Sequence, residues 1–225
     1  MQHQKTCAIL VAAGKSTRMG ADKQRIHIGT KTVIEHCLDN FQAAKHIDSI
    51  VIVTGKDSVE YMTSIAPSKV WAVVEGGNSR QQSVILGLQA VPSDVIFIAV
   101  HDGARPFVSP ALIDEICECA YRFGAAVPVI PITSTVKVID DCDRIVSTVD
   151  RDSLRLVQTP QVFNLQQYKH ALADAVDLDF TDDCQLFEKM NLPIVCVKGD
   201  EKNIKITTPD DLLLAQLIQQ RMDET

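Results

Sequence analysis

Four short and almost continuous apolar runs alternate with helical patterns in the first half of the chain. The runs predict strands at residues 7–12, 49–54, 69–74 and 95–101. Strands that are apolar at every position suit a parallel sheet covered on both faces. Helical patterns occupy about 31–44, 57–65 and 79–91, and a further helix starts at Pro110, capped by Ser109 and stopped by Gly124. This alternation predicts an α/β fold: a doubly wound, mostly parallel, Rossmann-like sheet.

The second half interrupts this alternation with a hairpin. Residues 132–150 read as two short strands joined by a polar turn at Asp140–Asp143. Helices are predicted near 165–176 and 182–190, strands near 194–198 and 203–207, and a last helix from Pro209, capped by Thr208. We therefore expect residues 1–225 to form a single domain with a β-arm at about 132–150.

Composition excludes several classes of protein. The formal net charge of -7 argues against a nucleic-acid binder, which usually carries a basic surface. No signal peptide is recognisable, and no apolar stretch reaches the roughly 18 residues of a membrane helix. The seven cysteines are scattered without zinc-ligand spacing, so most are expected to be buried thiols in a reducing cytoplasm.

The segment after the first strand contains GKST, the end of a P-loop signature. A P-loop needs a glycine five positions before Gly14, where the chain has Ile9 inside the strand, so this interpretation fails. Two alanines and a glycine do let the backbone approach a ligand closely, and Arg18 and Lys23 follow. The carboxyl end of the first strand is a usual ligand crevice in this fold, so an anion site is expected here; a solvated basic loop is the alternative.

Blocks along nearly the whole chain resemble one family. "AAGKSTRMGADKQ" is similar to the signature of nucleotidyltransferases, in particular the cytidylyltransferases that activate polyol phosphates. Further similar blocks follow in the family's order: "GGNSRQQSVILGL", "VHDGARPF", "TSTVK", "VDRDSLRLVQTPQVF", "TDD" and "NIKITTPDDL". Two positions depart from the signature, Ser16 for a glycine and Asp22 for a proline. We expect Ser16 to change slightly the turn of backbone N–H groups that would bind a triphosphate, and Asp22 to loosen the loop.

The resemblance implies transfer of a cytidylyl group from CTP to the phosphate of a polyol phosphate, with methylerythritol phosphate of the non-mevalonate isoprenoid pathway as the acceptor. Because the attacking phosphate is already an anion, catalysis requires positioning and charge stabilisation rather than a general base. Arg18 and Lys23 are expected to neutralise the α-phosphate, and Arg151 and Lys205 to position the substrate phosphate. Mg²⁺ is expected as the cofactor, bound through CTP phosphates without a dedicated protein cluster.

The remaining site residues are also implied by the resemblance. Expected nucleotide contacts are Ala12, Ala13, Gly14, Lys15, Gly77, Asn78, Arg80, Ser83, Asp102, Gly103 and Ala104. Expected substrate contacts are Asp102, Arg105, Thr135, Arg151, Thr159, Thr181 and Lys205. Structural alternatives remain for some: Asn78 or Ser79 as a helix cap, Asp102 as a partner of Arg105, and each threonine as a cap or strand surface residue. His101 is expected to be a packed strand residue.

Two other functions compete with this one. A ribitol 5-phosphate cytidylyltransferase would resemble A-G-G at the first motif, whereas this chain has A-A-G. An inactive CTP-binding module would lack the charged positions, which are present. Since a two-stranded hairpin is not stable alone in water, the arm must pack on something. The resemblance implies a homodimer in which the arms meet and Arg151 reaches the partner's active site.

Overall fold

The computed structural model describes residues 4–14, 22–174 and 182–224. The α-helices of these residues are α1 (Val33–Ala43), α2 (Val59–Ser64), α3 (Arg80–Gln89), α4 (Pro110–Phe123), α5 (Leu165–Ala173), α6 (Cys184–Lys189) and α7 (Pro209–Asp223). The strands are β1 (Thr6–Ala12), β2 (His27–Ile28), β3 (Lys31–Thr32), β4 (Ser49–Thr54), β5 (Val70–Glu75), β6 (Phe97–Asp102), β7 (Ala125–Pro131), β8 (Val136–Ile139), β9 (Ile145–Val149), β10 (Arg155–Val157), β11 (Gln161–Asn164) and β12 (Val195–Lys198).

One large sheet organises the fold, in the order β10-β7-β11-β6-β1-β4-β5, with β12 also paired to β7. The strands β6, β1, β4 and β5 run parallel, while β11 is antiparallel to both of its neighbours. This confirms the predicted α/β fold with a mostly parallel sheet. Because β1, β4, β5 and β6 share one direction, their carboxyl ends meet at one edge of the sheet.

Helices cover both faces of this sheet. Alternate β1 residues point to opposite sides: Ala8 and Leu10 pack with α1, α2 and α4, whereas Cys7 and Ile9 pack with α3, α5 and α6. Burial on both faces is why β1, β4 and β6 are apolar at consecutive positions. The edge strand β5 differs from this expectation: none of its residues is fully buried, and Trp71 is 65% exposed. A smaller cluster packs α7 against β2 and the segment before α7, through residues such as Ile28, Ile206 and Ala215.

Helix ends follow local sequence rules. Ser109 accepts a hydrogen bond from the Leu112 N–H with Pro110 at the first helical position, and Gly124 ends α4 at φ 91°. Thr208 caps α7 and Asp211 completes a capping box. The caps predicted at Ser109 and Thr208 and the stop predicted at Gly124 are confirmed. No helix among the described residues is long and apolar enough to cross a membrane.

Two kinds of element differ from the sequence-based expectation. Residues 203–207 do not form a strand; Ile206 donates a single backbone hydrogen bond to the Ala104 carbonyl, without a ladder. The antiparallel strands β10 and β11 and the long strand β7 were not predicted. Their sequences contain Pro128, Pro131 and Asn164, which strand propensity disfavours, so tertiary pairing decides their conformation.

The strands β8 and β9 form a separate two-stranded sheet within the range predicted for the arm. The turn between them includes Asp143 at φ 58° and is closed by Asp140, which accepts hydrogen bonds from the N–H groups of Cys142 and Arg144. Apolar side chains of the arm are exposed, among them Ile139, Ile145 and Val146.

Candidate active site

A cavity of about 210 Å³ opens at the carboxyl edge of the parallel strands, between the ends of β1 and β6 and the start of α3. Most residues predicted for the site line it: Ala13, Gly14, Lys23, Gly77, Asn78, Arg80, Ser83, Asp102, Ala104 and Lys205. A second cavity of about 410 Å³ adjoins it, sharing Ala13 and Gly14 and also lined by Ala12. The strand directions bring together residues far apart in sequence.

The segment just after β1 and the short turn that begins at Lys23 both line this cavity. Lys15, Ser16 and Arg18 lie outside the described residues, so their expected roles stay predictions. Lys23 starts a short 3-10 turn, Lys23–Arg25, and its neighbour Gln24 is 2% exposed. Burial of Gln24 fixes the turn against the body of the domain and leaves Lys23 at the cavity.

The Asp22 carboxylate makes several contacts at this turn. Its carboxylate accepts hydrogen bonds from the Gln24 N–H, at 3.1 Å, and from the Ser58 hydroxyl, at 3.2 Å, and lies 3.5 Å from Arg25 Nε. Its φ of -66° is a value that proline also adopts. These contacts restrain Asp22, and the expectation that it loosens the loop relative to proline stays a prediction.

The turn before α3 is built on a close approach. A Cβ on Gly76 would lie 2.3 Å from the Ala13 Cβ and 2.9 Å from Ser83 Oγ, so only glycine fits. The Gly77 N–H donates to Ser83 Oγ, and Ser83 Oγ–H donates to the Ser79 carbonyl. Ser79, not Asn78, is the helix N-cap. Ser83 thus holds the loop that lines the predicted base pocket.

Asp102, at the end of β6, is surrounded by three cations. Lys205 Nζ lies 2.7 Å and Arg105 Nε 4.0 Å from its Oδ2, and Arg80 Nε lies 3.3 Å from its Oδ1. Burial alone would raise the pKa of this carboxyl, but Lys205 and Arg80 outweigh burial and hold it below its usual value. Asp102 is therefore ionised. It pairs with Arg80 and Lys205 as well as with Arg105, the partner considered in the sequence analysis.

A buried hydrogen-bond chain fixes the backbone at Asp102. The Asp102 N–H donates to Thr159 Oγ1, at 3.1 Å, and the Thr159 hydroxyl lies 3.0 Å from His101 Nδ1. The other ring nitrogen of His101 lies 3.2 Å from the Arg105 carbonyl. Burial lowers the pKa of His101 to about 4, so the ring is neutral and packed, as predicted.

The segment that carries Lys205 is anchored under the site. Ile206 donates its N–H to the Ala104 carbonyl, and Arg105 Nη1 donates to the Asn203 carbonyl at 2.7 Å. Buried Ile206 and half-buried Ile204 flank Lys205 and point into the α7 cluster, as predicted. Lys205 therefore faces the cavity without belonging to a strand. Gly103, also predicted, donates its N–H to the Val11 carbonyl beneath the cavity.

The predicted substrate residues do not all meet in this cavity. Thr159 is 5% exposed, and the contacts of its hydroxyl lie beneath the site. Thr135 and Arg151 lie at the base of the arm, are exposed, and do not line the cavity; Arg151 Nη1 donates to the Thr133 carbonyl. Thr181 lies outside the described residues.

Asp183 was assigned no role in the sequence analysis. Its carboxylate lies 2.7 Å from Arg80, and it stands in the quoted "TDD" block, where only Thr181 was assigned a role. The family block was a signal for it, but nothing in the local pattern pairs residue 183 with residue 80. Within residues 4–14, 22–174 and 182–224, no group of three or more His, Cys, Asp or Glu side chains is placed to hold a metal ion.

Comparison with known proteins gives one family. The model of the 2-C-methyl-D-erythritol 4-phosphate cytidylyltransferase family matches residues 6–221. A protein of that name from Dehalococcoides mccartyi is 40% identical over 221 residues, covering 96% of each chain. Another from Caldanaerobacter subterraneus is 38% identical, covering 93% of this chain and 96% of the relative.

Solved structures agree with the sequence matches. The 4-diphosphocytidyl-2C-methyl-D-erythritol synthase of Anaerococcus prevotii superposes with a TM-score of 0.88 at 31% identity, covering 97% of both chains. The 2-C-methyl-D-erythritol 4-phosphate cytidylyltransferase of Thermus thermophilus has a TM-score of 0.79 at 33% identity, covering 96% of this chain and 99% of that one. Given this match over nearly its full length, the chain belongs to the 2-C-methyl-D-erythritol 4-phosphate cytidylyltransferase family.

Proposed function

We propose that this protein is a nucleotidyltransferase that joins CTP and 2-C-methyl-D-erythritol 4-phosphate to give the CDP-polyol and pyrophosphate, in isoprenoid precursor synthesis. The observation that carries the proposal is the cavity in which Lys23 and Lys205 meet Gly14, Gly77 and Asp102. It combines fixed cations with closely approaching backbone, which suits two phosphorylated substrates.

The reaction forms one bond and breaks one. A phosphate oxygen of the polyol phosphate attacks the α-phosphorus of CTP, and the bond from that phosphorus to the bridging oxygen of the β-phosphate breaks. Pyrophosphate leaves with the electron pair, and no proton has to be removed from the nucleophile. The barrier is therefore the approach of two anions, which fixed positive charge lowers.

Lys23 and Arg18 are proposed to stabilise the charge that develops on the α-phosphate. The support for Lys23 is its rigid turn, restrained by buried Gln24 on one side and by Asp22 on the other. A cation whose position is fixed before the reaction needs little reorganisation when charge develops.

Lys205, Arg105 and Asp102 are proposed to bind the polyol phosphate. Lys205 is 40% exposed at its side chain and can turn towards a phosphate while Asp102 keeps its other cations. The Asp102 carboxylate is also an acceptor for hydroxyl groups of the ribose or the polyol. Gly77, Asn78 and Ser83 are proposed to surround the cytosine, where a pocket built on close backbone approach suits a pyrimidine.

Mg²⁺ is proposed as the cofactor. In the cavity, Asp102 is bound to Lys205 and Arg80, so a metal ion would take most of its ligands from the triphosphate and water, as Mg²⁺ commonly does. When bound, it would neutralise charge on the phosphate oxygens.

A homodimer with shared active sites is proposed from the arm. A two-stranded sheet with exposed Ile139, Ile145 and Val146 needs a partner, and a second copy of the arm supplies a matching apolar surface. Thr135 and Arg151, at the base of the arm, would then reach the partner's cavity. We also propose a cytoplasmic location, which agrees with seven free cysteines.

Pyrophosphate release tests the proposed function. With CTP and Mg²⁺, methylerythritol phosphate should be turned over far faster than ribitol 5-phosphate or other polyol phosphates, and ATP or GTP should replace CTP poorly. Preference for ribitol 5-phosphate would assign a different acceptor, and equal turnover with ATP would contradict the pyrimidine pocket. Omission of Mg²⁺ with a chelator should abolish release.

A further inference from the structure

Arg80 connects the active-site carboxylate to a second, deeper carboxylate. Its Nε lies 3.3 Å from Asp102 Oδ1 and its Nη2 lies 2.7 Å from Asp183 Oδ2. The Asp183 side chain is only 5% exposed, against 24% for Arg80. The planar guanidinium therefore spans from the cavity wall to the interior, and its orientation is fixed at both ends.

The Asp183 carboxylate contacts Arg80 rather than capping its own helix, α6. It occupies the N-cap position of α6, where an aspartate normally accepts hydrogen bonds from the first turn of the helix, yet its side chain makes no such bond. Tyr168 Oη donates instead to its Oδ1, at 2.5 Å, and Arg80 approaches its Oδ2. In the first turn of α6 the Gln185 N–H donates to the Asp182 carboxylate, at 3.3 Å, which leaves the Asp183 carboxylate for these tertiary contacts.

The charges around Asp102 show what this arrangement achieves. Arg80, Arg105 and Lys205 all approach Asp102, and Asp183 is the counter-ion on the far side of Arg80. Burial alone would lower the pKa of Arg80, but Asp183 and Asp102 outweigh burial and raise it, so Arg80 stays charged. With Asp183 in place, Arg80 meets Asp102 through a single nitrogen at Oδ1, and Oδ2 remains for Lys205.

We propose that Asp183 is a positioning residue for the transfer reaction, holding Arg80 so that Asp102 orients Lys205 towards the acceptor phosphate. The proposal rests on the proposed function and adds to it a residue that touches neither substrate. Without Asp183, Arg80 would be free to turn two of its three guanidinium nitrogens to Asp102 and displace Lys205.

A double-mutant cycle on kcat/KM for the polyol phosphate tests this proposal. We expect Asp183→Asn to lower kcat/KM by about tenfold or more, since a lost charge-assisted contact of this kind has effects of that order. Arg80→Met should lower it at least as much. If Asp183 acts through Arg80, adding Asp183→Asn to Arg80→Met should cause no further loss. Independent, multiplying losses in the double variant would overturn the proposal.

Tyr168→Phe separates positioning from stability. It removes one hydrogen bond from the same buried carboxylate and leaves the Arg80–Asp183 ion pair in place. We expect it to lower the melting temperature while changing kcat/KM by less than about threefold, as for a contact remote from the reacting groups. If Tyr168→Phe and Asp183→Asn lose activity equally at equal loss of melting temperature, Asp183 is only structural. A wild-type protein that forms no CDP-polyol overturns the proposed function and this proposal with it.

Discussion

At the scale of the residue, Lys23 carries the main catalytic prediction. Lys23→Ala should lower kcat by about 100-fold or more, by analogy with the loss of one preorganised transition-state donor. The KM for CTP should change much less, because the charge of Lys23 is needed most in the transition state. Steady-state kinetics of pyrophosphate release measure both constants.

Lys31→Ala is the matched control for Lys23→Ala. Lys31 is an exposed lysine paired with Asp39, away from the residues that line the cavity, and exposed pairs of this kind contribute little. Its removal should leave kcat near the wild-type value. A Lys23→Ala variant with normal kcat and only a raised KM would show that Lys23 binds ground-state phosphate.

The burial of His101 leads to a prediction of how the free energy of unfolding depends on pH. Its pKa is lowered by burial from 6.5 to about 4, so below pH 6.5 the unfolded chain takes up a proton that the folded chain refuses. The contribution of neutral His101 to the free energy of unfolding is therefore fully present above pH 6.5 and is lost as the pH falls towards 4. The loss from this group is about 2 kcal/mol at pH 5.

Urea unfolding at pH 7 and pH 5 measures this effect. In His101→Gln the difference in unfolding free energy between the two pH values should shrink by about 2 kcal/mol. The same replacement at exposed His170 is the control and should leave the difference close to wild type. An unchanged difference in His101→Gln would mean that other groups cause the acid sensitivity.

At the scale of the element, the junction of β5 and α3 depends on Gly76. Gly76→Ala should destabilise the fold by about 1–3 kcal/mol through overpacking against Ala13 and Ser83, and should raise the KM for CTP by displacing the loop at Gly77. Gly55→Ala is the stability control, since a Cβ there meets nothing within 4 Å. Equal unfolding midpoints for the two variants would contradict the close approach.

At the scale of the whole molecule, the arm predicts active sites shared between two chains. Lys23→Ala and Arg151→Ala subunits should each be inactive, and mixing them under conditions of subunit exchange should restore activity. One site of the mixed dimer then carries both lesions and the other carries none. With random exchange, about a quarter of wild-type activity should return, since half of the dimers are mixed and each has one intact site.

A mixture of Lys23→Ala and Lys205→Ala subunits is the control. Both lysines line the same cavity of one chain, so every site in a mixed dimer keeps a lesion and no activity should return. If mixed dimers of the Lys23 and Arg151 variants form without recovering activity, Arg151 does not act across the interface.

The parallel core and many of the residues that line the cavity could be predicted from the amino-acid sequence. Apolar runs at β1, β4 and β6 follow from burial on both faces, and caps such as Thr208 follow from local hydrogen bonding; both causes act within a few residues. The family blocks supplied Lys23, Asp102 and Lys205 as candidates, and the cavity contains all three.

The ion pairs of the site and the strands outside the parallel core depend on long-range contacts in the folded chain. The antiparallel strand β11 forms because β6 and β7 offer it hydrogen-bonding edges, although its own sequence carries no clear pattern. Residues 203–207 stay outside the sheet because a single bond to Ala104 and burial of Ile206 hold them. Arg80 turns to Asp183, about a hundred residues away, because two buried carboxylates require a cation between them. Such long-range charge pairing depends on the folded geometry, which local sequence rules do not contain.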